Sequence, residues 1–288
     1  RQFRKFREEG VVMETIIGLG NAGCSIAEQF SRYPQYEIYR IDSKKRSGKK
    51  FKLIPKCKSH EEYEERCPSM KTFFKNVSGS CLFIVGGSGT ISGASLRILE
   101  AIKDREINIL YIKPDIEFLS DTKYKQHRAV FQILQQFARS DLLKRMYIVE
   151  NEKISQILGD LPIAEYYNKI NEFIASSIHM VNVFDHTESV INTFSDPAPT
   201  AKISTFGVVD IESEKEQNFY DIEMPREKRY YYAIKKNVLS EKNELFSKIK
   251  KQIKNISKKD DKMRVSYGIF STEYENNFAY SITSATLI

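Results

Sequence analysis

The sequence predicts an α/β fold: a doubly wound, mainly parallel sheet with glycine-rich loops, a long connecting helix and a smaller α+β domain toward the C-terminal end. Three observations predict it. Strand-length apolar runs alternate with helix-period stretches through the first half of the chain, two of those strands run directly into glycine clusters, and beyond Met180 the alternation gives way to successive strands around one lysine-rich helix.

The elements follow in order. Glu14-Thr15-Ile16-Ile17 reads as a strand ending at Gly18, a helix runs to about Tyr33, and Tyr36–Ile41 is a second strand, which makes a β-loop-α-β unit. Phe51–Pro55 is a short third strand, and a charged helix from Glu61 to Lys75 is expected to break at Pro68. Ser80–Val85 is the next strand, followed by a helix carrying Leu96, Ile98, Leu99 and Ile102, then the β-branched strand Ile107–Ile112. His127–Ala138 reads as a helix, Met146–Val149 as a strand and Ile163–Met180 as the long helix. In the remainder, Ala201–Ile211, Arg229–Ile234, Arg264–Phe270 and Asn277–Thr286 read as strands with antiparallel or mixed pairing.

Composition narrows the class. Of 288 residues, 41% are hydrophobic and 29% charged, which are globular values that allow a sizeable core. No apolar run reaches the roughly 18 residues that cross a bilayer. The basic start, Arg1 to Arg7, lacks the apolar core of a secretory signal, so the chain is read as soluble and cytoplasmic, with its four cysteines reduced. The net charge of +7 gathers in Lys44–Lys58 and in Lys242–Lys262. In the second cluster Leu245, Ile249, Ile253 and Ile256 recur at helical spacing, so its lysines read as the solvated face of a packed helix. The first has few interleaved aromatics, so nucleic acid is not indicated and an acidic partner stays open. Cys57, His60 and Cys67 offer three soft ligands without a CxxC pair or a fourth ligand nearby, and no metal site is assigned.

The chemistry concentrates in two loops. Gly18-Leu19-Gly20-Asn21-Ala22-Gly23 matches GxGxxG between a strand and a helix, and Asp42 ends the following strand. Taken alone this is a dinucleotide fingerprint: glycines let the backbone approach a pyrophosphate, the helix N-terminus supplies N–H donors, and the acid bonds a ribose. A dinucleotide enzyme does not require the second loop, Gly87-Ser88-Gly89-Thr90-Ile91-Ser92-Gly93. Backbone N–H groups in two such loops, with the hydroxyls of Ser88, Thr90 and Ser92, can cradle one triphosphate.

That second loop resembles the GGGTGTG or GGGTGSG signature of the FtsZ/tubulin superfamily, with Ser88 and Ile91 standing where the signature has glycines. The resemblance extends to Asn151-Glu152-Lys153-Ile154, similar to an NDKLL segment, and to Tyr167 and Asn171 on one face of the long helix. It implies that Tyr167 stacks on guanine and Asn171 bonds its edge. Asn182-Val183-Phe184-Asp185-His186-Thr187-Glu188 stands in the place of an NxDxxD loop, with Asn182 one residue farther from Asp185. It implies catalytic roles for Asn182, Asp185 and Glu188 at the nucleotide of a neighbouring subunit, with magnesium held mainly through phosphates and water. Arg128 resembles the arginine that follows a TKPF segment, and Ser284–Ile288 resembles the ATGF end of the folded core.

The resemblance implies a short, divergent member without a C-terminal tail, divided into an N-terminal extension (1–12), a nucleotide-binding domain (13–162), a connecting helix (163–181) and a C-terminal α+β domain (182–288). The function it implies is a GTP/GDP-binding protein that assembles head to tail into filaments and hydrolyses GTP at the subunit junction. Two alternatives stay open: a tubulin-like structural or partner-binding protein with weak catalysis, motivated by Ile91 and the offset of Asn182, and an NAD-binding oxidoreductase, motivated by the first loop and Asp42.

Overall fold

A computed structural model describes residues 14–241 and 243–288. The N-terminal extension, Met13 and Lys242 lie outside the described residues. The chain packs as two compact units that divide between Ser176 and Ser177.

The sheet of the first unit contains β1 (Glu14–Leu19), β2 (Tyr36–Asp42), β3 (Phe51–Leu53), β4 (Cys81–Gly86), β5 (Ile107–Lys113) and β6 (Arg145–Glu150). Their order is β3-β2-β1-β4-β5-β6, and every neighbouring pair is parallel. The order reverses between β1 and β4. In open parallel sheets the crevice outside the strand C-termini at that reversal takes ligands. Ile16, Ile17, Phe83, Ile84, Val85, Ile109 and Leu110 are fully buried, as strands covered on both faces require.

Helix α1 (Gly20–Gln29) begins in the residue after β1 and packs Ile26 and Ala27 inward. Helix α2 (His60–Arg66) is capped by Ser59, which accepts from the Glu62 N–H. It stops one residue before Cys67, whose φ of −62° and ψ of 120° are the extended values a residue before proline adopts. The break expected at Pro68 is therefore a termination, and residues 71–76 form turns. A 3-10 turn (Thr90–Ala94) leads into α3 (Ser95–Ala101), and α4 spans Asp121–Arg139. Helix α5 (Asn151–Leu158) takes up the segment similar to NDKLL and ends at Gly159, whose φ is +77°. The long helix α6 (Tyr166–Asp185) crosses the division between the units.

In the second unit β7 (Ile191–Asn192), β8 (Ile203–Val209), β9 (Glu216–Asn218), β10 (Glu227–Lys235), β11 (Arg264–Thr272) and β12 (Phe278–Ala285) form a mixed sheet. β12 lies antiparallel between β8 and β10, while β10 and β11 are parallel and joined by α7 (Lys236–Glu241) and α8 (Asn243–Lys259). The expected mixed pairing thus includes a βαβ unit. The consecutive Tyr230, Tyr231 and Tyr232 show the period of two along β10. Tyr230 and Tyr232 join the cluster beneath α8 with Ile249, Leu245, Ile253 and Ile256, and Tyr231 points instead to Phe184 and Phe194. Lys250, Lys251, Lys254 and Lys258 stay exposed, the solvated face that the spacing predicts.

Candidate nucleotide site

The first glycine loop owes its shape to close packing. A β-carbon on Gly18 would stand 2.4 Å from the carbonyl oxygen of Gly23, and one on Gly23 would stand 2.4 Å from the carbonyl oxygen of Ile84 on β4. These two glycines bring the start of α1 onto the sheet. α1 then starts with no side-chain cap and no acidic residue in its first turn, so its first N–H groups have no partner within the helix. Such a terminus is a ready anion site.

The second loop is backed by buried polar groups. The Gly87 N–H donates to the Ile112 carbonyl at 3.0 Å, and a β-carbon there would collide with the Tyr111 hydroxyl and the His127 ring. Tyr111 and His127 are themselves hydrogen-bonded, Oη to Nδ1, at 2.6 Å. Burial, with the charges of Lys113 and Arg128 adding to it, lowers the His127 pKa. Ser92 is buried and donates to the Gly89 carbonyl at 2.7 Å, Gly93 presses on His60, and Ser88 is exposed.

One cleft of about 820 Å³ in the first unit opens onto both loops. Asn21 and Ala22 line it from the first loop, Gly86 and Ser88 from the second, and Tyr166, Tyr167 and Asn171 from the start of α6. That part of α6 is tied to α1 by Gln29 donating to Asn168 at 3.1 Å and by the Arg32–Glu172 ion pair. The cleft therefore joins polar backbone at one set of walls to a tyrosine and an amide four residues apart on a helix, a combination suited to a phosphorylated purine.

In sequence alone no family model matches the chain, and no curated protein matches it. In structure it is similar to CetZ2 from Haloferax volcanii in a GTPγS-bound protofilament, with a TM-score of 0.74 at 14% identity over 94% of this chain and 92% of that one. It is similar to an empty FtsZ dimer from M. jannaschii, with a TM-score of 0.69 at 13% identity over 99% and 91%. A GTPγS-form protofilament of TubZ from Bacillus thuringiensis serovar israelensis gives 0.69 at 12% identity over 94% and 87%. The chain has the FtsZ/tubulin fold.

In this FtsZ/tubulin-like fold the sequence-predicted residues fall into three groups. Asn21, Ala22, Ser88, Tyr167 and Asn171 line the cleft. Gly18, Gly20, Gly23, Gly87, Gly89, Thr90, Ile91, Ser92 and Gly93 shape the loops, and the lining does not include them. Asp42 and Arg128 stand apart from the lining as well: Asp42 pairs with Arg46, and exposed Arg128 lies over the Tyr124 ring.

The acidic loop belongs to the second unit. Asp185 ends α6, exposed, and accepts a hydrogen bond from the Tyr231 hydroxyl at 3.0 Å. His186 donates through its backbone N–H and pairs through Nδ1 with the Asn182 carbonyl, which closes the turn, and Glu188 is exposed. Among the described residues no group of three or more His, Cys, Asp or Glu side chains is placed to hold a metal ion. No helix among them is long and apolar enough to cross a membrane.

The cleft also holds residues that sequence reasoning passed over. Lys113, paired with Glu150, and the Asp115–Leu119 segment with Glu117 and Phe118 line it, as does Lys123. The Lys113-Pro114 dipeptide marked the strand end but gave no spacing for the acids that follow, because that loop differs in length from the one it resembles.

Proposed function

We propose that the chain binds a guanine nucleotide in this cleft, assembles head to tail, and hydrolyses GTP at the junction between copies. The observation that carries the reading is the convergence of Asn21, Ala22, Ser88, Tyr167 and Asn171 on one cleft. The similar structures support the assembly: those of CetZ2 and TubZ are nucleotide-bound protofilaments, and that of FtsZ is a dimer.

In this reading the uncapped start of α1 and the second loop hold phosphates, Tyr167 stacks on the base, and Asn171 donates to and accepts from its edge. Asp185, oriented by Tyr231, and Glu188 position a water in line with the terminal phosphate of a neighbouring copy, and Asn182 fixes the turn that presents them. Magnesium offsets the phosphate charge when bound.

A second reading, binding and assembly with weak turnover, is favoured by Ile91, whose side chain lies against Gly20 in the first loop. Chromatography of the nucleotide released on denaturing the purified protein, followed by sedimentation with GTP, GDP and GTPγS, tests both. Guanine nucleotide and GTP-dependent pelleting are expected. NAD in the released fraction, or monomers indifferent to nucleotide at high concentration, overturns the proposal. Pelleting without phosphate release selects the second reading.

A further inference from the structure

Asp42 is the residue that a dinucleotide reading assigns to a ribose. Its carboxylate is 4% exposed and already engaged. Oδ1 accepts from the backbone N–H groups of Ser43 and Lys44 at 2.8 and 3.3 Å, and Oδ2 pairs with Arg46 Nε at 2.8 Å. The same guanidinium reaches the first glycine loop: Nη2 donates to the Asn21 side-chain oxygen at 2.7 Å and to its carbonyl at 3.4 Å. Asn21 lines the cleft in the first turn of α1.

A planar guanidinium fixed through Nε and Nη2 points its third nitrogen in a set direction. Among the described residues, Nη1 of Arg46 has no hydrogen-bond partner. The buried acid at the end of β2 thus orients a cation beside the uncapped start of α1, against Asn21 of the cleft wall, while the cleft lining itself includes neither Asp42 nor Arg46. A clamped arginine in that place adds charge-assisted hydrogen bonds to phosphate oxygens, and gains most from the most highly charged end of a ligand.

We propose that Arg46 is a binding residue for the terminal phosphate of a nucleoside triphosphate, held ready by Asp42 and Asn21, and that it makes the cleft prefer triphosphate to diphosphate. This rests on the nucleotide reading above. The residue lies in a lysine-rich stretch that composition reads only as basic surface, and its partners come from the end of β2 and the start of α1, 25 residues apart from Arg46 at the greatest.

Equilibrium titration with fluorescent GTP and GDP analogues tests it on the wild-type chain and on Arg46→Ala, Arg46→Lys and Asp42→Asn, with a melting curve for each. Arg46→Ala is expected to lose about tenfold or more in affinity for the GTP analogue and less than threefold for the GDP analogue. Arg46→Lys falls between, because an ammonium cannot be held at two nitrogens while presenting a third, and Asp42→Asn shifts the ratio the same way as Arg46→Ala. Equal losses for both analogues, an unchanged ratio, or tighter binding by Arg46→Ala overturns the assignment. Wild-type binding with an unchanged ratio removes Arg46 alone, whereas a wild-type chain that binds neither analogue removes the nucleotide reading and this inference together.

Discussion

The Cγ2 atom of Ile91 stands 2.6 Å from the place a β-carbon on Gly20 would occupy, at a residue whose φ is +70°. The two glycine loops therefore meet through an isoleucine side chain, at a position where the similar signature carries glycine. Gly20 is constrained twice, by backbone sign and by its neighbour. Gly20→Ala is expected to cost about 1–2 kcal/mol for the left-handed conformation alone, with the clash in addition. Adding Ile91→Ala should recover the clash and leave the conformational cost. Urea unfolding of both single variants and the double variant measures the coupling, and strictly additive effects would refute the contact.

Tyr167 is 67% exposed, so its ring contributes little to folding. Tyr167→Ala is expected to change stability by no more than about 0.5 kcal/mol and to weaken guanine nucleotide binding by roughly tenfold, within the about 1–3 kcal/mol of a base stacked on an aromatic. Asn171→Ala should reduce discrimination between GTP and ATP more than it reduces affinity for either. Calorimetry with both nucleotides separates these effects; unaltered binding by Tyr167→Ala removes the base pocket from this helix.

Burial holds the His179 imidazole at about 4, against an ordinary 6.5, and His127 is lowered too. The unfolded chain takes up these protons as pH falls below 6.5 while the folded chain does not. Stability from the neutral rings is thus complete above 6.5 and is lost as pH falls toward about 4, with a slope of up to about 1.4 kcal/mol per pH unit for each ring. Denaturant midpoints across that range should fall with acid, and His179→Gln should flatten the curve. A flat wild-type profile would contradict the burial of both rings.

Asp185 and Glu188 are exposed, and Asp185 is held by the Tyr231 hydroxyl. Asp185→Asn and Glu188→Gln should keep the fold and GTP-dependent pelleting while lowering phosphate release about tenfold or more each. Ile91→Gly bears on the second reading: faster phosphate release would place the limit on turnover in the loop contact with Gly20. Full phosphate release by Asp185→Asn with Glu188→Gln together would dismiss this loop from the chemistry.

Much of the fold was legible because its elements have strong local signatures. The strands of the first unit are β-rich runs, and Tyr36–Asp42 and Ile107–Lys113 differ from their sequence reading by one residue at the C-terminal end. The proline at 68 stopped α2 through the restriction it places on Cys67. Strands β7 and β9, of two and three residues, are too short for any periodicity to register, and α5 begins without a capping side chain to announce it.

The sequence by itself determined the alternation of strands and helices, the two glycine loops and the Tyr167–Asn171 face, because each depends on local backbone preference or on a period within one element. Tertiary structure decided which of those residues share a cleft, that Gly18 and Gly23 serve helix–sheet packing, and that Asp42 holds Arg46 against Asn21. The physical reason is range. A glycine's neighbours and a carboxylate's partner are supplied by segments brought together only when the sheet forms, and no spacing along the chain encodes them.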